Sequence, residues 1–276
     1  ATTMHRLTEG RFCLGIGRGI GPLFAAYGMS KITTAQMEDF ANVMKRLFKG
    51  EVIFGHDGPI GKYPILALDP TFNENIPLGI TAFGQNTLEL AGRAFDCVIL
   101  HTFFSDETTQ RCVKTVKDSA ERAGRDPDKV RVWSCFATIG DHIPEDIRLK
   151  KTVGRLATYL QGYGDLMVTT NNWDPAVLQR FRDDEFIKTF RGALDGIATT
   201  EQLEHVATLL PSEWLESAAS GSPAECVASI RHQFDLGCDG VIMHGASPDD
   251  LAPIVREYRA TRPVGVFDHL AANPGG

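Results

Sequence analysis

The sequence predicts an α/β fold built on parallel strands. Short apolar runs alternate with amphipathic stretches along the chain, and most of these runs are continuously apolar. That pattern is typical of strands buried on both faces of a parallel sheet. Five runs carry it: 12–16, 76–82, 97–100, 130–137 and 240–243. Alternation of strands and helices also implies right-handed crossovers.

Amphipathic segments that can form helices follow these runs. The predicted helices cover 35–49, 86–94, 106–124, 223–234 and 248–258. Thr33 and Thr34 can cap the first helix, and a proline opens each of the last two, where its missing N–H has no intrahelical partner to lose. Residues 139–222 are rich in helical pattern and poor in strands, which predicts a long helical insertion.

The composition is that of an ordinary globular protein. The 276 residues are 43% hydrophobic and 23% charged, with a net charge of −7. A negative total argues against nonspecific nucleic-acid binding, and no run approaches the roughly 20 apolar residues of a membrane helix. The six cysteines form no Cys-x-x-Cys pair, so zinc-ligand spacing is absent and no metal site is predicted. Reduced cysteines suit the cytoplasm, where we expect the protein.

The first run ends in a glycine-rich turn over 14–21. The Gly-x-Gly-x-x-Gly fingerprint fails in each register, because Ile20, Pro22 or Phe24 stands where the third glycine is needed. Gly-Lys-Ser/Thr is absent as well, so a conventional dinucleotide site or P-loop is disfavoured. The turn is either a strand end bare enough for a flat ring to approach the backbone or simply a flexible turn.

A second turn, around Gly84, joins the run 76–82 to the helix at 86–94. The amides of Gln85, Asn86 and Thr87 are expected to lack intrahelical partners, and such amides attract phosphate. The alternative is an ordinary strand-to-helix turn. The segment 221–225 leaves a similar choice between a second anion cradle and a helix cap.

Three side chains near strands are candidates for chemistry. His101 ends the run 97–100 and is the candidate catalytic acid–base group. Trp133, in the next run, and His244, after the last run, are candidates for substrate contact. Each of the two histidines can instead be purely structural, as a lone histidine at a strand end often is.

Several segments together resemble the luciferase-like flavin and deazaflavin oxidoreductases. They are 7–17, 77–82 leading into 88–96, 221–227 and 237–242, and their order and spacing match over nearly the whole chain. The resemblance implies a TIM (β/α)₈ barrel, with 1–276 as one domain and 139–222 as its insertion. The five runs would be the fourth to eighth strands, and the first three βα units would lie before Ala1.

Within that family the chain is most similar to the subgroup that uses coenzyme F420. The resemblance implies that the cofactor's ring and phosphate meet two turns, formed by Gly17, Arg18 and Gly19 and by Phe83, Gly84, Gln85 and Asn86. The glucose-6-phosphate dehydrogenases of this group have a glutamate where this chain has Ile20, so that substrate is not carried over. Their catalytic histidine and tryptophan would lie before Ala1.

The sequence therefore predicts an oxidoreductase that transfers a hydride between F420 and a small organic substrate. One alternative is a luciferase-like monooxygenase that uses FMN and O₂. Another is a non-catalytic, flavin-binding or degenerate member of the family. The resemblance also implies a homodimer.

The insertion is expected to cover the active-site face of the barrel, where long βα loops host substrate contacts. Five aromatic residues would supply apolar area there: Tyr159, Tyr163, Phe181, Phe186 and Phe190.

Overall fold

The structure, a computed structural model, describes residues 1–19, 21–69 and 71–270, without the side chains of 21–23. Ile20 lies outside the described residues. The chain divides into two compact units, one formed mainly by Ala1–Leu100 and Cys112–Val132, the other by His101–Arg111 and Trp133–Val266.

The elements up to residue 122 are α1 (Thr2–Leu7), β1 (Leu14–Ile16), α2 (Gly21–Ala26), α3 (Thr34–Phe48), β2 (Ile53–Gly58), β3 (Gly61–Leu66), β4 (Leu78–Thr81), α4 (Gln85–Ala94), β5 (Cys97–Ile99) and α5 (Asp106–Arg122). Those that follow are β6 (Arg131–Gly140), α6 (Glu145–Leu149), α7 (Arg155–Asn171), α8 (Pro175–Asp183), α9 (Glu185–Thr189), α10 (Leu194–Ile197), α11 (Thr200–Ala207), α12 (Ser212–Leu215), β7 (Ala218–Gly221), α13 (Pro223–Asp235), β8 (Gly240–His244) and α14 (Pro248–Thr261).

In the first unit, β4 pairs in parallel with both β1 and β5. Ile16 lies opposite Ile80, and Thr81 lies opposite Ile99, so the carboxyl ends of the three strands meet at one edge. Leu88, Leu90 and Ala91 are buried on α4, which begins just after β4 ends. The turn between β4 and α4, which contains Gly84, therefore lies at that edge.

A second layer of the first unit is the antiparallel hairpin β2–β3, which packs on α3. Val43 and Leu47 of α3 and Ile53 of β2 form one buried cluster. The helix starts at a capping box, in which Thr33 and Gln36 satisfy each other's backbone amides. The hairpin was not predicted, because its residues are mostly exposed and interrupted by glycines.

In the second unit, β6 pairs in parallel with both β7 and β8. Ala137 lies opposite Ala218 in one ladder and opposite His244 in the other. Helices α13 and α14 contribute Val227, Ile230 and Ile254 to the cluster around Phe136. This places the end of β8, and His244 with it, on a packed framework.

The predicted helical insertion is confirmed as the helices α6 to α12. A π-helical turn, Lys150–Gly154, joins α6 directly to α7. Beyond α7, the ring of Trp173 stacks on that of Trp214 in α12, with centroids 4.2 Å apart and planes 9° from parallel. Phe181 is fully buried in α8.

The α/β fold with parallel strands is confirmed. All five predicted runs contain a strand, and the five predicted helices begin and end within three residues of the observed ones. The strand count of five is wrong, because β7 is a sixth parallel strand inside the segment treated as insertion. Among the described helices, none combines the length and apolarity needed to cross a membrane.

Candidate active site

The glycine-rich turn lies at the carboxyl end of β1, beside the end of β4. A Cβ on Gly17 would lie 2.8 Å from Oγ1 of Thr81, so a side chain does not fit there without displacing Thr81. Gly19 has φ of +75°, and a Cβ on it would also meet the ring of Phe24. The two glycines leave the backbone bare on either side of Arg18.

The turn around Gly84 starts helix α4 without a side-chain cap. Gly84 is the N-cap residue with extended backbone, φ −99° and ψ 164°, so the left-handed conformation does not arise. The N–H of Thr87 donates to the carbonyl of Gly84 at 3.0 Å, so the expectation of an unpaired amide is wrong for Thr87. The amides of Gln85 and Asn86, which precede the first helical bond, have no intrahelical acceptor.

Arg18 links the two turns. Its Nη2 donates to Oγ1 of Thr34 at 2.9 Å and to Oγ1 of Thr87 at 3.4 Å, which holds the guanidinium at the first turns of α3 and α4. Its Nε is buried and has no hydrogen-bond partner among the described residues. A permanent cation beside the amides of a helix N-terminus is an arrangement that can bind a phosphate group.

His101 is held by hydrogen bonds on both ring nitrogens. Nδ1 lies 2.9 Å from the carbonyl oxygen of Thr102, which can only accept, so Nδ1 carries the proton of the neutral ring. Nε2 then accepts from the hydroxyl of Tyr163 at 2.9 Å. Burial lowers the pKa of His101 to about 4, so the ring is neutral near pH 7.

The turn after His101 is conformationally constrained. Phe103 is fully buried with φ of +62°, a left-handed conformation that costs a bulky residue free energy. Nδ2 of the buried Asn171 donates to the carbonyl of Phe103 at 3.1 Å, and Oδ1 of Asn171 accepts from the amide of Ser105 at 3.0 Å. The end of α7 thereby fixes the turn that carries His101.

His244, at the end of β8, meets the same helix. The Tyr159 hydroxyl is 3.4 Å from Nε2 of His244, and the Tyr159 ring packs against those of His101 at 4.8 Å and Tyr163 at 5.5 Å. Burial, followed by the positive charges of Arg155 and Lys151, lowers the pKa of His244. The structure thus brings His101 and His244 together around two tyrosines.

Sequence reasoning missed a regular stripe on this helical run. Lys151, Arg155, Tyr159 and Tyr163 recur every four residues, and we name them the α7 stripe. Nζ of Lys151 donates to the carbonyl of Gly245 at 2.5 Å, and the Arg155 guanidinium lies 5.9 Å from the Tyr159 ring centroid. Spacing of four places neighbouring side chains on one face of an α-helix, which was the available signal. Lys151 lies in the π-helical turn and Tyr163 at a kink in α7, so the stripe is not carried by one regular helix.

Trp133 is not part of this cluster. It lies opposite Gly240 at the start of β8, four register pairs from the pair formed by Ala137 and His244. That separation is about 13 Å along the strands. We therefore do not carry Trp133 into the substrate site.

The five aromatic residues of the insertion do not lie at one place. Tyr159 and Tyr163 contact His101. Phe181 is instead fully buried in α8, and Phe186 packs on Phe190 with ring centroids 5.1 Å apart.

The segment 221–225 forms a helix cap. Oγ of Ser222 accepts from the amide of Glu225, while the Glu225 carboxylate accepts from the amide of Ser222. That carboxylate occupies the place of an incoming anion, which excludes the anion-cradle interpretation. In the described part of the chain, no group of three or more metal-ligating side chains occurs.

Comparison with known proteins identifies the family. The model of the luciferase-like monooxygenase family matches residues 1–240, and the chain belongs to that family. The resemblance read from the sequence is thereby confirmed.

Three known proteins show what kind of enzyme the chain is similar to. The chain is 25% identical over 246 residues to a 5,10-methylenetetrahydromethanopterin reductase of Methanolobus tindarius, a match covering 87% of this chain and 69% of that protein. The coenzyme F420 dependent tetrahydromethanopterin reductase of Methanopyrus kandleri shares the fold with a TM-score of 0.67, at 18% identity over 92% of this chain and 74% of that one. EDTA monooxygenase from Chelativorans sp. BNC1 shares it with a TM-score of 0.60, at 16% identity over 100% of this chain and 74% of that one.

Proposed function

We propose that the chain is an oxidoreductase that transfers a hydride between coenzyme F420 and an organic substrate. The observation that carries the proposal is Nε of Arg18, which is buried near the start of α4 and has no hydrogen-bond partner in the described part of the chain. Its position after β1 is where the family resemblance expects the cofactor. Similarity to an F420 dependent reductase supports the choice of F420.

The residues of the first unit fit a cofactor that has a flat ring and a phosphate. Arg18 and the amides of Gln85 and Asn86 would bind the phosphate, and Gly84, without a side chain, lets it come close. Gly17 and Gly19, with Phe83 nearby, would border the ring. The cofactor supplies hydride transfer when bound, while the protein supplies binding, orientation and exclusion of water.

In the second unit, His101 is the proposed acid–base group. Its Nδ1 proton is held by the Thr102 carbonyl, so only Nε2 is in the form that accepts a proton, and Tyr163 lies on it. Tyr163 is consequently the group through which a proton would reach or leave Nε2. His244 is the proposed substrate contact beside Tyr159.

A second candidate is an FMN-dependent monooxygenase that uses O₂. Similarity to EDTA monooxygenase favours it, and the phosphate site at Arg18 suits FMN equally. Separate titrations with F420 and FMN, followed by fluorescence quenching, decide between them. Saturable quenching by F420 alone supports the proposal, FMN alone supports the monooxygenase, and binding of neither supports the non-catalytic member and overturns both.

Two variants test where the cofactor binds. Arg18→Gln and Gly84→Val should each weaken binding at least tenfold, about 1.4 kcal/mol, because one removes the cation and the other fills the approach to the amides. Gly162→Val is the matched control, since Gly162 is exposed on α7 with no heavy atom within 4 Å of its Cβ position. Unchanged affinity in folded Arg18→Gln and Gly84→Val would remove the assignment.

A further inference from the structure

The α7 stripe places two positive charges beside His244. Lys151 and Arg155 are permanent cations, and both act on His244 electrostatically. One facing acidic group is Asp195, whose Oδ2 is 2.9 Å from Nη1 of Arg155 and whose Oδ1 accepts from Thr158 at 2.8 Å. The other is Asp250, on whose carboxylate Lys151 acts electrostatically. With His244 and His101 uncharged near pH 7, Lys151 and Arg155 are the charges that act on His244.

Both cations have donors beyond what their protein partners use. Nε of Arg155 is buried without a hydrogen-bond partner among the described residues. Lys151 is in no ion pair in the described part of the chain, and of its three ammonium donors Gly245 takes one. Buried polar groups are usually hydrogen-bonded in folded proteins, so these unused donors are available to a bound anion.

We propose that the substrate carries an anionic group, a carboxylate, sulfonate or phosphate, that binds between Lys151 and Arg155 beside His244. The inference rests on the proposed function in that it names the substrate class of the same site. Tyr159 and Tyr163, the next residues of the α7 stripe, contact His101 and so place its Nε2 near the bound anionic group. A neutral, apolar substrate would leave the buried Nε donor of Arg155 and the remaining ammonium donors of Lys151 unused.

Inorganic phosphate is the probe. The ring resonances of His244 and His101 are followed by NMR during a phosphate titration at low ionic strength, in an Arg18→Gln background that weakens the separate cofactor site. Phosphate should shift the ring resonances of His244, and the shift should saturate as phosphate is added. Lys151→Met should weaken this binding at least tenfold, whereas Lys150→Met, one residue away on another helix face, should leave it within twofold.

Asp195→Asn supplies a test of opposite sign. Asparagine keeps the acceptor for Thr158 but removes the charge that competes for Arg155, so phosphate should bind at least threefold more tightly. A variant that merely fails to fold cannot bind more tightly. Absence of a His244 shift, or equal affinities in Lys151→Met and Asp195→Asn, would overturn the proposal. Failure of the F420 titration, measured separately, would overturn the assignment of F420 and leave the anion site standing.

Discussion

The Thr102 carbonyl fixes the proton on Nδ1 of His101, so Nε2 alone is available for proton exchange. Burial lowers the pKa of the ring, although the hydrogen bond to Thr102 acts in the opposite direction. The local sequence contains no sign of Tyr163, which lies 62 residues away and completes the pair. The proton-exchange properties of His101 thus depend on a contact with an element that is distant in the chain.

Burial of neutral His101 should make stability depend on pH. The pKa is about 4 in the folded chain and 6.5 when exposed, so the unfolded chain takes up the proton first as pH falls. The stabilisation is fully present above pH 6.5 and is lost toward pH 4. Between pH 7 and pH 5 the loss is about 2 kcal/mol. Urea unfolding of wild type and His101→Gln at both pH values measures it, and equal pH dependence in the two proteins would contradict it.

At the scale of elements, the start of α13 is the clearest case of local sequence deciding structure. Ser222→Ala removes the acceptor for the Glu225 amide and should destabilise the protein by about 1 kcal/mol. Ser229→Ala on the same helix is the control, because Ser229 Oγ only donates back to the Glu225 carbonyl within the helix. Thermal unfolding of both variants is the measurement, and equal losses would argue against the cap.

Helices α4 and α5 pack closely through Gly92. A Cβ there would collide with the Val116 carbonyl and lie 2.9 Å from the amide of Ala120, both backbone atoms that cannot swing aside. Gly92→Ala should therefore cost about 1–3 kcal/mol of unfolding free energy. Gly162→Ala, in open space on α7, should instead stabilise by up to about 1 kcal/mol. A neutral Gly92→Ala would show that the two helices separate without penalty.

Elements with a strong local signal were predictable, and those defined by pairing were not. Continuous apolar runs revealed β1, β4, β5, β6 and β8, whereas β7 consists of Ala, Ala, Ser and Gly and becomes a strand only by pairing with β6. Glycines at strand ends located both turns of the proposed cofactor site in the sequence. The α7 stripe was missed because spacing shows that four residues share a face but not what that face meets.

At the scale of the whole molecule, the homodimer stays a prediction. Sedimentation at micromolar concentration should give twice the 30.2 kDa of one chain, since an obligate interface in such a dimer buries about 2,000 Å² or more. A monomer at that concentration would contradict it. Cytoplasmic location stays a prediction as well.

The stacked pair of Trp173 and Trp214 gives the helical segment an optical signature of its own. Two indoles fixed against each other 4.2 Å apart lie in a rigid, asymmetric environment, so the folded segment should contribute a near-ultraviolet circular-dichroism signal. Trp214→Phe should remove that signal, and Trp133→Phe, which changes the remaining tryptophan on β6, should leave it. Because the signal vanishes once α12 leaves the end of α7, it can report whether this segment opens before the strands unfold.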